Sequence, residues 1–259
     1  MMKWIKPLWV VAVGVILCTP ALVTASEDLK KPRLMEGVTP VPAALLIKSY
    51  RYMGTLKYFG IDAVTTSDDL YLDEMVVTYT HWVHIDVERP SRLHISVDGD
   101  VKSKEYFIDN KQFTVYDNLT NYYGQLAVPQ GIDKALDFLF DKYDVKSPLA
   151  NILYHDLDRR IPPKNKGYYF GISDVDDTPC YHLGFNTPTQ EYQVWIEQGD
   201  HPVIRKFIII DKTEPYLPRS GTVLRWNLKT EPAGNVFKFE PPRGAARINI
   251  EPADEWEAE

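Results

Sequence analysis

Histidines are the residues of this sequence that could most readily ligate a metal or act as a general base. The chain contains six of them: His81, His84, His94, His155, His182 and His201. His81 and His84 are three positions apart on a predicted strand, so their side chains point to opposite faces of a sheet. No spacing among the six matches a metal-binding motif. The sequence therefore predicts neither a metal site nor a cofactor.

A dense cluster of aspartates, Asp174, Asp176 and Asp177, resembles part of a calcium-binding loop. The EF-hand pattern also requires a glycine and a distal glutamate, and both are missing here. We therefore expect these carboxylates to lie in a turn between two strands. A weak, adventitious calcium site stays open as the alternative.

A nucleophilic hydrolase of the common kind presents its serine in a G-x-S-x-G turn. The nearest stretch, residues 171–174, has the first glycine and the serine but not the second glycine. The sequence also contains no P-loop, no G-x-G-x-x-G and no H-E-x-x-H. Cys180 has no evident electropositive neighbourhood, so we expect a buried, inert thiol. The sequence predicts no catalytic residue and no enzyme, although a distant carboxylate pair of the glycosidase type stays open.

The elements that must position any site alternate between helical and strand periodicity. Apolar residues at helical spacing predict an amphipathic helix from Pro42 to Phe59, with Gly60 at its end. A second helical stretch spans Gly131 to Tyr143. Between the two, turn signals separate the predicted strands Glu74–Val87, Arg92–Asp98, Lys104–Ile108, Gln112–Tyr116 and Asn121–Ala127.

A second series of strands follows a short helix predicted from Pro148 to Tyr154. Its members are Tyr168–Ser173, Cys180–Asn186, Tyr192–Glu197, Val203–Ile210, Thr222–Lys229 and Val236–Phe239. The order helix, meander, helical insert, meander contains no β-α-β alternation. We therefore predict a mainly β (α+β) fold, a single curved antiparallel sheet or half-open barrel with helices on its concave face. A closed barrel is the alternative.

The inner face of such a sheet is the candidate binding surface. A strongly curved sheet that does not close leaves this face either filled by helices or open to an apolar ligand, and both alternatives remain. Strand alternation gives these candidates for an apolar face: Leu93, Ile95, Val97, Leu183, Phe185, Val194 and Ile196.

The first 25 residues have the composition of a secretory signal peptide. Lys3 and Lys6 precede an apolar run, and the small residue Ala25 follows it. We predict cleavage after Ala25, which gives an exported protein that is not an integral membrane protein. Retention of the run as a membrane anchor and lipoprotein processing at Cys18 are the alternatives.

The chain that follows the predicted cleavage site is acidic. Two of the 29 Lys and Arg residues precede the site, and the remaining 27 against 36 acidic residues give a net charge of −9 for residues 26–259. Nucleic-acid binding depends on Lys and Arg neutralising phosphates, and anionic membrane surfaces attract basic segments. We therefore expect no nucleic-acid partner.

Several stretches resemble a family of uncharacterised predicted periplasmic proteins, a domain of unknown function. They are Glu88–Leu93 with Asp98–Asp100, Phe107–Asp117, Leu136–Leu153, Trp195–Pro202 with Arg205 and Lys206, and Val236–Ala245. In this order they cover most of residues 40–250. That family is similar to the LolA/LolB lipoprotein-carrier superfamily. The resemblance implies a half-open antiparallel barrel with helices in its concave face, a periplasmic location and a hydrophobic groove for acyl chains.

Together these expectations give a functional hypothesis: a non-enzymatic periplasmic binding protein for an apolar ligand, either a lipid or a lipidated protein. The alternative is an envelope protein-interaction or stress-sensing module without a transported ligand, and an unrecognised hydrolase is a third. We divide the chain into a signal peptide (1–25), a flexible N-terminal segment (26–41), a single LolA/LolB-like domain (42–251) and an acidic tail (252–259).

Overall fold

Twelve strands form one sheet in this computed structural model, which describes residues 41–145, 148–160 and 167–253. The strands are β1 Tyr58–Tyr71, β2 Met75–Glu88, β3 Arg92–Gly99, β4 Ser103–Asp109, β5 Gln112–Asp117, β6 Tyr122–Ala127, β7 Gly167–Val175, β8 Thr178–Asn186, β9 Gln190–Glu197, β10 Ile204–Asp211, β11 Arg219–Asn227 and β12 Ala246–Ile248. The predicted signal peptide, its cleavage after Ala25, residues 26–40 and residues 254–259 lie outside the described residues.

The strands follow the order β12-β6-β5-β4-β3-β2-β1-β11-β10-β9-β8-β7. Neighbours are antiparallel, except that β12 runs parallel to β6. Strands β7 and β12 are the two edges of the sheet, so it is open and the closed-barrel alternative is wrong. The predicted single curved antiparallel sheet is confirmed.

One face of the sheet, here called the inner face, packs against helices. These are α1 Pro42–Thr55, α2 Ile132–Tyr143, a 3-10 helix Pro148–Leu153 and α3 Leu157–Arg160. Their buried residues, such as Leu46, Leu139 and Leu153, join the inner residues of the strands in one hydrophobic core. Within the described ranges, no helix is both long and apolar enough to span a membrane. The described residues all fall in one compact unit, and the predicted bounds of the domain at 42 and 251 stay a prediction.

The last two residues of the first predicted helix, Tyr58 and Phe59, belong to strand β1. The helix ends at Thr55, and Phe59 is buried in the strand instead. From there Phe59, Ile61 and Ala63 alternate as buried residues, which is the period of a strand. The prediction of a helix up to Phe59 is wrong, and no element was predicted for the rest of β1. Only three apolar residues of β1 show the alternation that is typical of a strand, and the second half of β1 is mostly polar.

Residues Val236–Phe239 form turns and not the predicted strand. Backbone N–H groups in this segment bond to carbonyls three residues earlier, as turns do. Phe237 is fully buried, and the rings of three residues on the outer face of the sheet contact Phe239: Phe107, Tyr116 and Tyr123. The Phe-x-Phe spacing imitates strand periodicity, but here both rings anchor the C-terminal segment to the outer face.

Candidate ligand-binding site

Strands β2 to β5 form the floor of an apolar cavity, here called the main cavity. The register places Ile85 beside Ile95 and Val83 beside Val97 on the inner face. Further lining residues on β3, β4 and β5 extend the floor: Leu93, Tyr106, Ile108 and Phe113. Because side chains alternate along a strand, these residues share one face of the sheet. The floor is therefore a continuous apolar surface across four strands.

Helical residues form the roof of the main cavity. Leu136 and Leu139 are three positions apart on α2 and therefore lie on one face of that helix. Leu149 and Ala150 of the 3-10 helix extend the roof. A space of about 280 Å³ separates roof from floor. Small-molecule pockets occupy roughly 300–1,000 Å³, so this cavity is near the lower end of that range. The helices cover this part of the inner face without filling it.

A second cavity, of about 140 Å³, lies against β9 and β10. Its apolar walls include Val194 and Phe207 from the strands, and Ile152 and Leu157 from the 3-10 helix and α3. Tyr50 of α1 also lines it. The inner face therefore carries two apolar spaces, one on each half of the sheet.

A groove of about 490 Å³, here called the entrance groove, adjoins both cavities. It shares Ser67 and Ser220 with the main cavity and Gln190 and Ile209 with the second cavity. Charged residues also line the groove: Asp68, Asp211 and Arg219. The two apolar spaces thus adjoin one groove whose wall combines charged and apolar residues.

The residues predicted for the apolar face divide between cavity walls and packed core. Those that line a cavity are Leu93, Ile95 and Val97 in the main cavity and Val194 in the second. Those that pack in the core and line neither cavity are Leu183, Phe185 and Ile196, each at most 2% exposed. The structure therefore brings three of the seven together. A role for any of them in ligand binding stays a prediction.

Sequence reasoning did not identify the polar residues of the main cavity. Thr65, Ser67, His81, Lys102 and Ser220 line it beside the apolar floor. The alternation of side chains along β2 could have identified one of these polar residues, because it places His81 on the same face as the apolar residues of that strand.

The prediction that His81 and His84 point to opposite faces is confirmed. His81 is 6% exposed and lines the main cavity. His84 lies on the outer face, where Nδ1 is 2.7 Å from Asp62 Oδ1 and Nε2 is 3.1 Å from Asp86 Oδ2. Burial disfavours the charged imidazole, but the hydrogen bonds and negative charges of the two aspartates raise the pKa of His84 above its ordinary value.

A further cluster in the described part of the chain has ligand atoms close enough together to hold a metal. The atoms belong to Asp133, His155 and Asp156 and lie within 4.8 Å of one another. His155 Nδ1 is 2.5 Å from Asp133 Oδ2, and Arg160 Nε donates to Asp156 Oδ1 at 2.5 Å. Burial opposes ionisation of Asp156, but the Arg160 guanidinium holds its pKa below the ordinary value. A hydrogen bond between His155 and Asp133 and the Arg160–Asp156 ion pair therefore account for this arrangement.

Two features that the sequence analysis singled out belong to the framework. Asp176 and Asp177 form the turn between β7 and β8, with φ angles of 47° and 58°. The prediction of turn carboxylates is confirmed for these two, whereas Asp174 lies within β7. Cys180 is fully buried, as predicted, and burial raises its pKa to about 11. The thiol is therefore protonated at neutral pH.

Solved structures with a similar arrangement have low sequence identity to this chain. An uncharacterized conserved protein from Thermus thermophilus gives a TM-score of 0.47 at 10% identity, over 80% of this chain and 99% of that chain. Lipoprotein LppX from Mycobacterium tuberculosis gives 0.46 at 12% identity, over 74% and 98%. A LolA superfamily protein from Nitrosomonas europaea gives 0.33 at 10% identity, over 77% and 98%. Among curated proteins, none matches this chain.

The sequence profile of one protein family matches residues 43–251, which is most of the chain. The family is described as a predicted periplasmic protein. This match confirms the family resemblance inferred from stretches such as Trp195–Pro202 and Val236–Ala245, and with it the periplasmic location. The chain belongs to the DUF2092 family of predicted periplasmic proteins.

Proposed function

We propose that this protein binds the acyl chain of a lipid or of a lipidated protein in the main cavity, without catalysing a reaction on it. The observation that supports the proposal is the unfilled apolar space between β2–β5 and the helices. Protein interiors are normally packed as densely as organic crystals, with few voids larger than a water molecule. An apolar space of about 280 Å³ that adjoins a groove with charged residues in its wall is what a binding site for an amphiphile requires.

The energetics of such a site rest on the hydrophobic effect. Each methylene transferred from water into the cavity contributes about 0.8 kcal/mol, so about eight methylenes contribute roughly 6 kcal/mol. Binding also costs several kcal/mol of lost translational and rotational freedom. A preformed cavity keeps the remaining cost low, because a space of about 280 Å³ between the floor and the roof already exists.

Native mass spectrometry of the full chain, exported to and purified from a bacterial periplasm, tests this proposal. We expect adducts with the masses of fatty acids or phospholipids. After delipidation, dodecanoate at about 100 times its Kd is expected to raise the melting temperature by about 5–10 °C, since this concentration adds about 2.7 kcal/mol of stability. Protein that carries no lipid and shows no thermal shift with dodecanoate would contradict the proposal.

A second candidate function, an envelope protein-interaction module, is favoured by the tip of the β1–β2 hairpin. Four large apolar side chains there are exposed: Tyr71, Leu72, Met75 and Val76. Contiguous exposed apolar residues often mark a protein-protein contact. Capture of one specific envelope protein by the full chain, together with the absence of lipid adducts, would favour this function over acyl-chain binding.

A further inference from the structure

The inner face changes from apolar to polar along the strands. In successive rows across β1, β2 and β3, the register aligns Ile61, Ile85 and Ile95, then Ala63, Val83 and Val97, and then Thr65, His81 and Gly99. On the other side of β1, Thr222 pairs with Thr65 and Ser220 pairs with Ser67. The main cavity therefore has an apolar part and, at the end of β3, a polar part.

His81 and Thr222 are the buried polar residues of this end, and they differ in whether they have a hydrogen-bond partner. His81 is 6% exposed, and within the described residues its Nε2 atom has no hydrogen-bond partner. The neighbouring hydroxyl of Thr65 is 3.0 Å from that of Thr222, so these two side chains satisfy each other. A buried polar atom without a hydrogen-bond partner destabilises the folded protein. A ligand atom in the main cavity that forms a hydrogen bond with Nε2 would remove this cost.

Gly99 fixes the ring of His81 against the neighbouring strand. A side chain at position 99 would place its Cβ 2.8 Å from the His81 Cδ2 atom and 2.3 Å from the Thr80 carbonyl oxygen. Only glycine leaves room for the imidazole here. Gly99 of β3 therefore leaves space for a histidine at position 81 of β2, whereas β2 carries aliphatic residues in the two preceding rows.

Lys102 supplies a positive charge at the same end. It lies in the turn between β3 and β4, lines the main cavity and is exposed, and in the described part of the chain it forms no ion pair. Burial and the Lys102 ammonium lower the pKa of His81, while Asp100 opposes them. The Asp100 carboxylate accepts a hydrogen bond from the Thr80 N–H at 2.7 Å. At neutral pH the imidazole of His81 is therefore neutral, and Lys102 supplies the positive charge and Asp100 the negative charge of this end.

We propose that His81 and Lys102 bind the carboxylate of a single-chain fatty acid whose hydrocarbon tail occupies the apolar part of the main cavity. This inference rests on the proposed function and names the ligand class of the same site. A carboxylate supplies an acceptor for an imidazole N–H and a partner for the Lys102 ammonium, which forms no ion pair with Asp100 or any other described residue. A fatty alcohol of equal length has the same tail but no charge.

Competition between dodecanoate and dodecanol for the delipidated full chain tests the inference. We expect dodecanoate to bind about tenfold more tightly, as a charge-assisted hydrogen bond beside an exposed ammonium allows. Lys102→Gln is expected to reduce this preference to about threefold or less. Lys111→Gln is the matched control, because Lys111 is exposed in the turn at the opposite end of β4, and it is expected to leave the preference unchanged.

Each outcome of this competition separates the inference from the function on which it rests. Equal affinities for the acid and the alcohol, or a preference that survives Lys102→Gln, would overturn the carboxylate site while acyl-chain binding stands. Failure of both ligands to bind would overturn the proposed function itself. Displacement of dodecanoate by equimolar acetate would show that the site takes a small free carboxylate, and it would likewise overturn the fatty-acid inference.

Discussion

Val97→Trp should weaken dodecanoate binding about fiftyfold while the protein remains folded. Val97 is partly exposed on the floor of the main cavity, beneath a roof that leaves about 280 Å³ of space. An indole in that space would displace about three methylenes of the ligand, worth about 2.4 kcal/mol at 0.8 kcal/mol each. The cavity can accept the larger side chain with little of the strain that overpacking causes in a filled core. Isothermal titration calorimetry measures the affinity and circular dichroism the fold.

The matched control for this substitution is Val101→Trp. Val101 is the same residue type, is 52% exposed in the turn after β3 and does not line the main cavity. We expect its affinity for dodecanoate to equal that of the unsubstituted protein. If Val97→Trp binds dodecanoate normally and is folded, the ligand occupies another surface and the assignment of the main cavity is wrong.

Arg89→Ala should destabilise the protein by about 3 kcal/mol, which lowers the melting temperature by about 6–12 °C. The guanidinium donates to the carbonyl oxygens of Met53 at 2.9 Å and Leu56 at 3.0 Å, at the end of α1, and to that of Leu153 at 2.7 Å, at the end of the 3-10 helix. It also lies 5.2 Å from the centre of the Phe59 ring. Removal of this side chain breaks three hydrogen bonds that link the strand end to α1 and to the 3-10 helix, although the Met53 carbonyl keeps the bond from the Leu56 N–H.

Differential scanning calorimetry of Arg89→Ala, Arg89→Lys and Arg243→Ala measures this effect. Lysine keeps the charge but lacks the planar fork that reaches several carbonyls, so we expect Arg89→Lys to be intermediate. Arg243 is exposed in the C-terminal segment, and its substitution should change the melting temperature little. A melting temperature of Arg89→Ala equal to that of Arg243→Ala would contradict the stabilising role of the Arg89 hydrogen bonds to α1 and the 3-10 helix.

Local periodicity was sufficient to predict most of the sheet. In β3 the alternation of Leu93, Ile95 and Val97 with polar residues identified both the strand and its inner face, because one side of that strand is apolar and the other is polar. The same reasoning failed in β1, whose second half faces the polar end of the cavity and loses the apolar alternation. It also failed at Val236–Phe239, where aromatic anchoring to the outer face has the spacing of a strand.

The cavity itself was beyond sequence reasoning. Whether an apolar inner residue lines a space or packs in the core depends on how closely the helices approach, and local patterns do not encode that distance. Leu183 and Val97 have the same kind of alternation, yet Leu183 is fully buried in the core and Val97 lines the main cavity. The polar end depends on three strands meeting in register, so His81 and Lys102 become neighbours only in the folded sheet.

Contacts between bound dodecanoate and the methyl groups of the protein test the central claim most directly. In an isotope-filtered NOESY spectrum of methyl-labelled protein, we expect cross-peaks from the ligand chain to the methyls of Ile95, Val97 and Leu139, on the floor and roof of the main cavity. Cross-peaks confined to exposed methyls of the β1–β2 tip, such as those of Leu72 and Val76, would place the ligand outside the cavity and contradict acyl-chain binding on the inner face.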